Sequence, residues 1–165
     1  MIKAVFPGSF DPPTFGHLDI IKRAAALFNN LTVLVAHNTN KNCLFTVPER
    51  IELLSKMILE LRHQYSNIYI DSCDTLVVDY MQKQDIKVLI RGARNVNDFI
   101  KENDLSYWNH HIDGNIETVI LFPRPEYAHF SSSAARELLI FGKDAEALLP
   151  PVVYSAVLSK MRTNI

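Results

Sequence analysis

Short apolar runs alternate with helix-like segments along the chain, and this alternation limits the folds open to it. Runs rich in β-branched residues predict five strands, at 2–7, 31–37, 67–71, 86–90 and 117–122. Apolar residues at helical spacing predict helices at 16–28, 46–63, 75–84, about 98–111, from 131 onward, and 150–161. Strands separated by helices form parallel sheets that are covered on both faces. We therefore expect an α/β fold, with a doubly wound sheet of five parallel strands and helices on both faces.

Composition excludes several classes of protein. The 165 residues suit one domain spanning 1–165, and 48% of them are hydrophobic against 21% charged. A net charge of -1 gives no general attraction to nucleic acid or to an anionic membrane surface. No apolar run has the length of a membrane span, and the N-terminus lacks signal-peptide character. Cys43 and Cys73 form no CxxC pair, which favours a reducing cytoplasm over a disulfide-stabilised exterior.

Unusual residues follow four of the five predicted strands. Ligands of doubly wound sheets bind beyond the carboxyl ends of the strands. The segments at that edge are "PGSFDPPTFGH" (7–17), "NTNKN" (38–42), "RGAR" (91–94) and "PRPEYAHFSSSAAR" (123–136). In the first, Gly8 permits close approach of a ligand to the backbone, and Ser9 offers a hydroxyl. His17 stands where a helix begins, so its imidazole can donate to a phosphate oxygen. The alternative is a tight strand–helix turn with a capping histidine.

These segments resemble a known family of enzymes. "GSFDPPTFGH" resembles the GxFDPxTxGH signature of the nucleotidylyltransferase superfamily. "KNCLFTVPER", "LIRGARNVNDF" and "HFSSSAARE" resemble three further motifs of the bacterial phosphopantetheine adenylyltransferases, in the order and spacing of that family. The resemblance covers residues 2 to about 160 and implies a Rossmann-like fold.

The resemblance implies an activity. Members of the family transfer the adenylyl group of ATP to 4′-phosphopantetheine and release dephospho-coenzyme A and pyrophosphate, a step of coenzyme A biosynthesis. The acceptor phosphate attacks directly, without a covalent intermediate, and Mg²⁺ assists as a companion of ATP. Such a reaction depends on positioning and charge stabilisation. By this resemblance His17, Lys41 and Arg91 are catalytic: His17 donates to the α-phosphate, Lys41 bridges acceptor and transferring phosphate, and Arg91 clamps the acceptor phosphate.

The resemblance also implies binding residues for both substrates. Residues expected to bind ATP are Ser9, Phe10, His17, Gly92, Ala93, Arg94, Glu102, Tyr127, Ala128, His129, Phe130, Ser131, Ser132 and Ser133. Residues expected to bind the acceptor are Ser9, Lys41, Leu76, Val77 and Arg91. Each has a structural alternative: a solvated lysine, an arginine ion-pair cluster, a helix-surface glutamate, serines that only cap a helix, or leucine in the core. We expect no residue of the chain to be a metal ligand, because the histidines lack ligand spacing with acidic partners.

The chain departs from the family pattern at a few positions. Ile100 of "DFIKE" stands where an acid is common, and Ala93 replaces a frequent leucine. Ser9 replaces threonine, and Phe130 replaces isoleucine or valine. None of these changes removes a charged or hydroxyl group that the chemistry needs. Trp108 is expected to pack against a helix face without a part in the reaction.

Other functions remain as alternatives. A nicotinate mononucleotide adenylyltransferase would carry a histidine at the place of Thr14, and a cytidylyltransferase would carry an RTxGISTT element, which is absent. A nucleotide-binding module without catalysis is the alternative from another class, and the presence of His17, Lys41, Arg91 and Arg94 argues against it. The family resemblance further implies a homohexamer, a dimer of trimers, and its product is close enough to coenzyme A for feedback binding. Neither nucleic acid nor a membrane is an expected partner.

Overall fold

Five parallel strands form one sheet. In the computed structural model, which describes residues 1–36 and 42–163, they are β1 (Lys3–Gly8), β2 (Asn30–Ala36), β3 (Ile68–Cys73), β4 (Val88–Gly92) and β5 (Glu117–Leu121). Their order across the sheet is β3-β2-β1-β4-β5, and every adjacent pair is parallel. The chain therefore runs from β1 through β2 to β3 at one edge of the sheet, and then returns to the other side of β1 to add β4 and β5. The α/β doubly wound fold predicted from the alternation is confirmed, and its topological switch point lies between β1 and β4.

Within residues 1–36 and 42–163, six α-helices accompany the strands, and some of their boundaries differ from the predicted ones. They are α1 (Phe15–Leu27), α2 (Val47–Met57), α3 (Val77–Gln84), α4 (Val96–Ile112), α5 (Ser132–Ile140) and α6 (Pro151–Thr163). The helix predicted over 46–63 ends at Met57, and a short 3-10 helix follows at Glu60–His63. Further 3-10 turns at Pro125–Tyr127 and Glu146–Leu148 have no periodicity that a sequence pattern could reveal. The α4 helix begins earlier than predicted because the Asn95 side chain caps it, accepting from the Asp98 N–H at 2.9 Å.

Helices cover both faces of the sheet. Val5 and Leu34 pack with Val78 and Met81 of α3 on one face. Their strand neighbours point to the other face, because successive side chains of a strand alternate. The core on this second face is the larger of the two. Its buried side chains come from β1, β2, α1, α2, α5 and α6, among them Phe6, Val33, Ile21, Leu54, Ala135 and Val153.

The start of α2 illustrates how local sequence fixes helix ends. Thr46 and Glu49 form the predicted capping box: the Thr46 hydroxyl accepts from the Glu49 N–H, and the Glu49 carboxylate accepts from the Thr46 N–H at 2.7 Å. Lys160 of α6 donates to the same carboxylate at 2.6 Å. The Glu49 side chain thus helps to cap the start of α2 and also joins α2 to α6.

The α4 helix has no buried residue. Its exposed apolar side chains are Val96, Phe99, Ile100, Leu105, Tyr107, Trp108 and Ile112. The expectation that Trp108 is packed at a helix face is wrong, since 66% of this residue is exposed and its ring contacts His111 of the same helix edge-on, with centroids 6.3 Å apart. Of the helices in residues 1–36 and 42–163, none is both long and apolar enough to cross a membrane.

Candidate active site

A cavity of about 300 Å³ opens at the switch point of the sheet. Strands β1 and β4 pair at Ala4 with Val88 and at Val5 with Leu89, and the cavity lies beyond these pairs, toward the carboxyl ends of both strands. Its lining consists of Phe6, Pro7, Gly8, Ser9, Gly16, His17, Ile20, Arg91, Gly92, Arg94, Asp98, Glu102, Pro123, Tyr127, Phe130, Ser131, Ser132 and Ser133. Segments far apart in sequence therefore meet where a doubly wound sheet places its ligands.

The turn after β1 is built around the ring of Phe10. This residue is 1% exposed and adopts φ 47°, a conformation that residues other than glycine rarely take. A Cβ on Gly8 would lie 2.9 Å from the Phe10 ring, so only glycine fits at the end of β1. The ring also meets the His17 imidazole edge-on, with centroids 5.1 Å apart. Phe10 thus supports His17 from the core side, and its own side chain does not line the cavity.

Thr14 determines which nitrogen of His17 carries the proton. The Thr14 backbone N–H donates to His17 Nδ1 at 3.0 Å, and the Thr14 hydroxyl lies 3.0 Å from the same nitrogen. The Thr14 hydroxyl also accepts from the His17 N–H at 3.4 Å, which completes a capping box at the start of α1. A backbone N–H can only donate, so Nδ1 must present a lone pair. In the neutral imidazole the proton therefore sits on Nε2, the nitrogen turned away from Thr14.

The surroundings of His17 keep its imidazole neutral. Burial, together with the smaller effect of the nearby positive charge of Arg94, lowers the pKa of His17 from 6.5 to about 4. A pKa below the usual value means that the neutral form persists at pH 7 and is lost only as the pH falls toward 4. At neutral pH His17 thus offers the cavity one N–H donor and no acceptor.

Arg91 at the end of β4 is held by a carboxylate of α4. Its Nε and Nη2 donate to the two oxygens of Glu102 at 2.5 and 2.8 Å, a bidentate ion pair that is largely shielded from solvent. Its Nη1 lies 3.4 Å from the Pro7 carbonyl oxygen of β1. The guanidinium therefore has a fixed orientation at the gap between the two strands.

Arg94 is held in a similar way by Asp98. The Asp98 carboxylate accepts from Arg94 Nε at 2.8 Å and from the Arg94 backbone N–H at 3.2 Å. Arg94 shifts the pKa of the Asp98 carboxyl below its usual value, although burial opposes the shift. Among the described residues, the cavity lining thus contains two cations and two anions in pairs, so the net charge of these residues does not account for an attraction for anions.

Two helix N-termini supply further attraction for anions. Gly16 and His17 of α1 and Ser132 and Ser133 of α5 line the cavity, so the amide ends of both helices meet it. Such ends carry partial positive charge and unpaired N–H groups. A Cβ on Gly16 would lie 3.2 Å from the Phe130 carbonyl oxygen, which shows how closely the two helix starts approach.

Most of the residues implied by the family resemblance meet in this cavity. Those that line it are Ser9, His17, Arg91, Gly92, Arg94, Glu102, Tyr127, Phe130, Ser131, Ser132 and Ser133. Those outside its lining are Phe10, Ala93, Ala128, His129, Leu76 and Val77. Ala93 is completely buried, and Leu76 lies past the end of β3 with 62% of its surface exposed. Lys41 lies outside the described residues.

Some of the serines have the structural roles considered as alternatives. The Ser131 hydroxyl caps α5 by accepting from the Ala134 N–H at 3.0 Å. The Ser132 hydroxyl donates to the Pro12 carbonyl oxygen at 2.8 Å. Capping and a place in the cavity lining therefore coexist at these positions.

Two acidic residues near the cavity were missed by sequence reasoning. Asp98 lies four residues after Arg94, a spacing that could have predicted their ion pair. Asp19 is a buried charge among the apolar residues of α1, and its carboxylate accepts from the Arg124 backbone N–H at 3.2 Å. It also pairs with the Arg23 side chain at 3.3 Å. Asp19 thereby fixes the start of the segment that leads from β5 to the cavity.

The described residues do not fit a metal ion held by the protein itself. Within 1–36 and 42–163, no group of three or more His, Cys, Asp or Glu side chains could hold one. The two carboxylates in the cavity lining, Asp98 and Glu102, are both paired with arginine. A divalent cation at this place would depend on the phosphate oxygens of a ligand.

Comparison with known proteins places these features in a family. The cytidylyltransferase-like family model matches residues 5–138. The phosphopantetheine adenylyltransferase of Symbiobacterium thermophilum is 48% identical over 151 residues, covering 92% of this chain and 91% of its own. That of Clostridium novyi is 39% identical over 158 residues, covering 96% of both chains. Among solved structures, Plasmodium falciparum nicotinic acid mononucleotide adenylyltransferase has a TM-score of 0.71 at 15% identity, covering 95% of this chain and 94% of its own.

The structural neighbour and the sequence relatives support different conclusions. At 15% identity the structural likeness shows a shared fold alone. The sequence relatives span nearly the whole chain at much higher identity, and they do not favour the mononucleotide adenylyltransferase alternative. The chain belongs to the cytidylyltransferase-like family and, within it, to the phosphopantetheine adenylyltransferases.

Proposed function

We propose that the protein, as a single nucleotidylyltransferase domain, transfers the adenylyl group of ATP to 4′-phosphopantetheine. The observation that carries the proposal is the neutral Nε2–H donor of His17, which lies in one cavity with two oriented arginines and two helix N-termini. This arrangement suits a reaction in which negative charge grows on a phosphoryl group.

The bond changes are those of a direct displacement. An oxygen of the acceptor phosphate forms a bond to the α-phosphorus of ATP, the bond from that phosphorus to the β-phosphate oxygen breaks, and pyrophosphate leaves. A phosphate monoester is already largely ionised at pH 7, so the attacking oxygen needs no base. His17 could not serve as one, because Nε2 carries a proton and Nδ1 is bound to Thr14. For the same reason His17 cannot activate the cavity serines, which argues against a covalent intermediate.

His17 stabilises the transition state in this account. Its Nε2–H donates to a nonbridging oxygen of the α-phosphate, where charge increases as the fifth bond forms. Because the donor is already oriented, it needs little rearrangement during the reaction. It therefore stabilises the transition state more than the bound substrates. The contacts with Thr14 and Phe10 provide that orientation.

In this proposal the two arginines bind the phosphate groups of different substrates. Arg91, oriented by Glu102, turns unused N–H groups toward the acceptor phosphate, and Arg94 with Gly92 contacts the ATP phosphates. The segment 127–133 contacts the adenine and triphosphate, with the start of α5 as an anion site. In this proposal Lys41 contacts the acceptor phosphate, Leu76 and Val77 contact its pantetheine arm, and Glu102 lies near the nucleotide sugar.

Magnesium enters with ATP as part of the substrate, coordinated by phosphate oxygens. Coenzyme A shares the phosphopantetheine arm with the acceptor, so it competes for the same cavity and provides feedback inhibition. The free thiols of Cys43 and Cys73 and the use of ATP agree with the cytoplasm as the place of the reaction.

The protein assembles as a homohexamer in this proposal. Support comes from α4, on which Leu105, Trp108 and Ile112 recur at helical spacing and form an exposed apolar stripe. Uncovered apolar stripes of this kind are typical of interfaces between subunits.

Pyrophosphate release tests the activity directly. With Mg²⁺ and ATP present, 4′-phosphopantetheine should support steady release, and pantetheine without its phosphate should not. Nicotinate mononucleotide as acceptor, or CTP as donor, should give at most a small fraction of that rate. Tight binding of both substrates without any pyrophosphate would contradict the proposal and favour a binding module.

Replacing His17 by alanine tests its part in the reaction. The variant should lose turnover by about 10²–10³, the typical effect of removing one oriented donor, while the Kd for ATP stays within about three-fold. His63→Ala, which removes an exposed imidazole outside the cavity, is the matched control and should keep full activity. A His17→Ala variant that binds ATP poorly but turns over normally once saturated would make His17 a ground-state ligand instead.

A charge on the α4 stripe tests the assembly. Light scattering of the wild-type protein should give a molar mass near six times that of the 18.8 kDa chain. Trp108→Glu should reduce it, because burial of the new carboxylate in an interface is costly. The control Leu59→Glu alters another exposed apolar residue and should leave the mass unchanged. Equal masses for the wild type and Trp108→Glu would show that the stripe is not an interface.

A further inference from the structure

A buried carboxylate outside the cavity connects several segments that form it. Asp11 is 3% exposed and lies in the turn between Ser9 and His17. Its two oxygens accept from the backbone N–H groups of Leu44 at 2.8 Å and Phe45 at 2.9 Å. Burial of a carboxylate is costly unless such donors compensate it, so these bonds hold the segment 42–45 against the turn after β1.

Arg136 of α5 completes this arrangement with a single nitrogen. Its Nη1 donates to the Asp11 carboxylate at 3.1 Å and to the Asn42 carbonyl oxygen at 3.2 Å. The same helix is bound to the same turn at its start, where Ser132 donates to Pro12. Three segments are therefore joined: the turn that carries Ser9 and His17, the segment 42–45, and the first turns of α5.

Neither Asp11 nor Arg136 lines the cavity at the switch point, although Arg136 lines a neighbouring groove that shares Ser133 with it. Their bonds to the segment 42–45 point to an indirect effect on the reaction. The segment that they hold begins at Asn42, which in the sequence directly follows Lys41, the proposed contact of the acceptor. We infer that Asp11 and Arg136 are positioning residues for the acceptor side of the reaction, which set the place of the segment 42–45 relative to the turn of His17. The inference rests on the proposed function.

The geometry specifies which substitutions should be tolerated. Because Arg136 uses only Nη1 for both bonds, a lysine ammonium can replace it, whereas methionine keeps the apolar stem but has no donor. A direct contact between Arg136 and a phosphate would instead favour the planar guanidinium with its paired donors. The pair Arg136→Met and Arg136→Lys therefore separates positioning from direct binding.

The experiment measures kcat and both KM values for pyrophosphate release. Arg136→Met should lower kcat/KM for 4′-phosphopantetheine about ten-fold or more, since small displacements of reacting groups are costly, while the KM for ATP stays within about two-fold. Arg136→Lys should remain within about three-fold of the wild type in every constant. Thermal unfolding of each variant shows whether it is folded at the assay temperature. If Arg136→Met is unfolded at that temperature, Arg136→Gln is measured instead. Its amide NH2 retains donors, so kcat/KM for 4′-phosphopantetheine should again fall more than the KM for ATP changes, but by a smaller factor.

A double-mutant cycle with Lys41→Met supplies a second criterion. If Arg136 acts by placing the segment that follows Lys41, its loss should cost much less when the lysine is already absent. Additive effects, an equal rise of both KM values, or an Arg136→Lys variant as impaired as Arg136→Met would each overturn the inference. A wild-type protein that releases no pyrophosphate from these substrates would overturn the proposed function, and the positioning inference with it.

Discussion

The hydrogen bond from the Thr14 backbone N–H to His17 Nδ1 is the constraint on which the proposed chemistry depends. It leaves the proton on Nε2, and burial keeps the imidazole neutral at pH 7. The bond exists because the chain leaves β1 through the Phe10 turn and begins α1 with Thr14 as its capping residue. The same few residues thus start a helix, choose a tautomer and orient a donor toward the cavity.

Carboxylates hold most of the remaining structure in place around that donor. Glu102 and Asp98 orient the two arginines of the cavity, and outside it Asp11 and Asp19 fix the segments 42–45 and 122–124. Each of these acids neutralises a positive charge that could attract phosphate. In return, each restricts the motion of a side chain or segment that must be in place before the reaction. A site organised in this way stabilises developing charge without having to rearrange.

The sequence predicted the fold well, because the alternation of strands and helices is expressed in local composition. It also predicted much of the cavity lining, because the residues of the family motifs follow strands whose carboxyl ends meet at one edge. It could not reveal that Glu102 pairs with Arg91 or that Asp11 binds Leu44, because these contacts join distant positions through tertiary structure. The exposure of Trp108 was missed for a related reason: an apolar residue on a helix face is equally suited to a core and to an interface.

The protonation state of His17 tests the central claim most directly. Nitrogen NMR of protein labelled in its six histidines distinguishes the two tautomers and follows protonation, and comparison with His17→Ala assigns the signal. The account predicts that His17 carries its proton on Nε2 and remains neutral from pH 8 down to about pH 5, whereas an unperturbed histidine would be half protonated near pH 6.5. A proton on Nδ1, or titration of His17 near pH 6.5, would contradict the account.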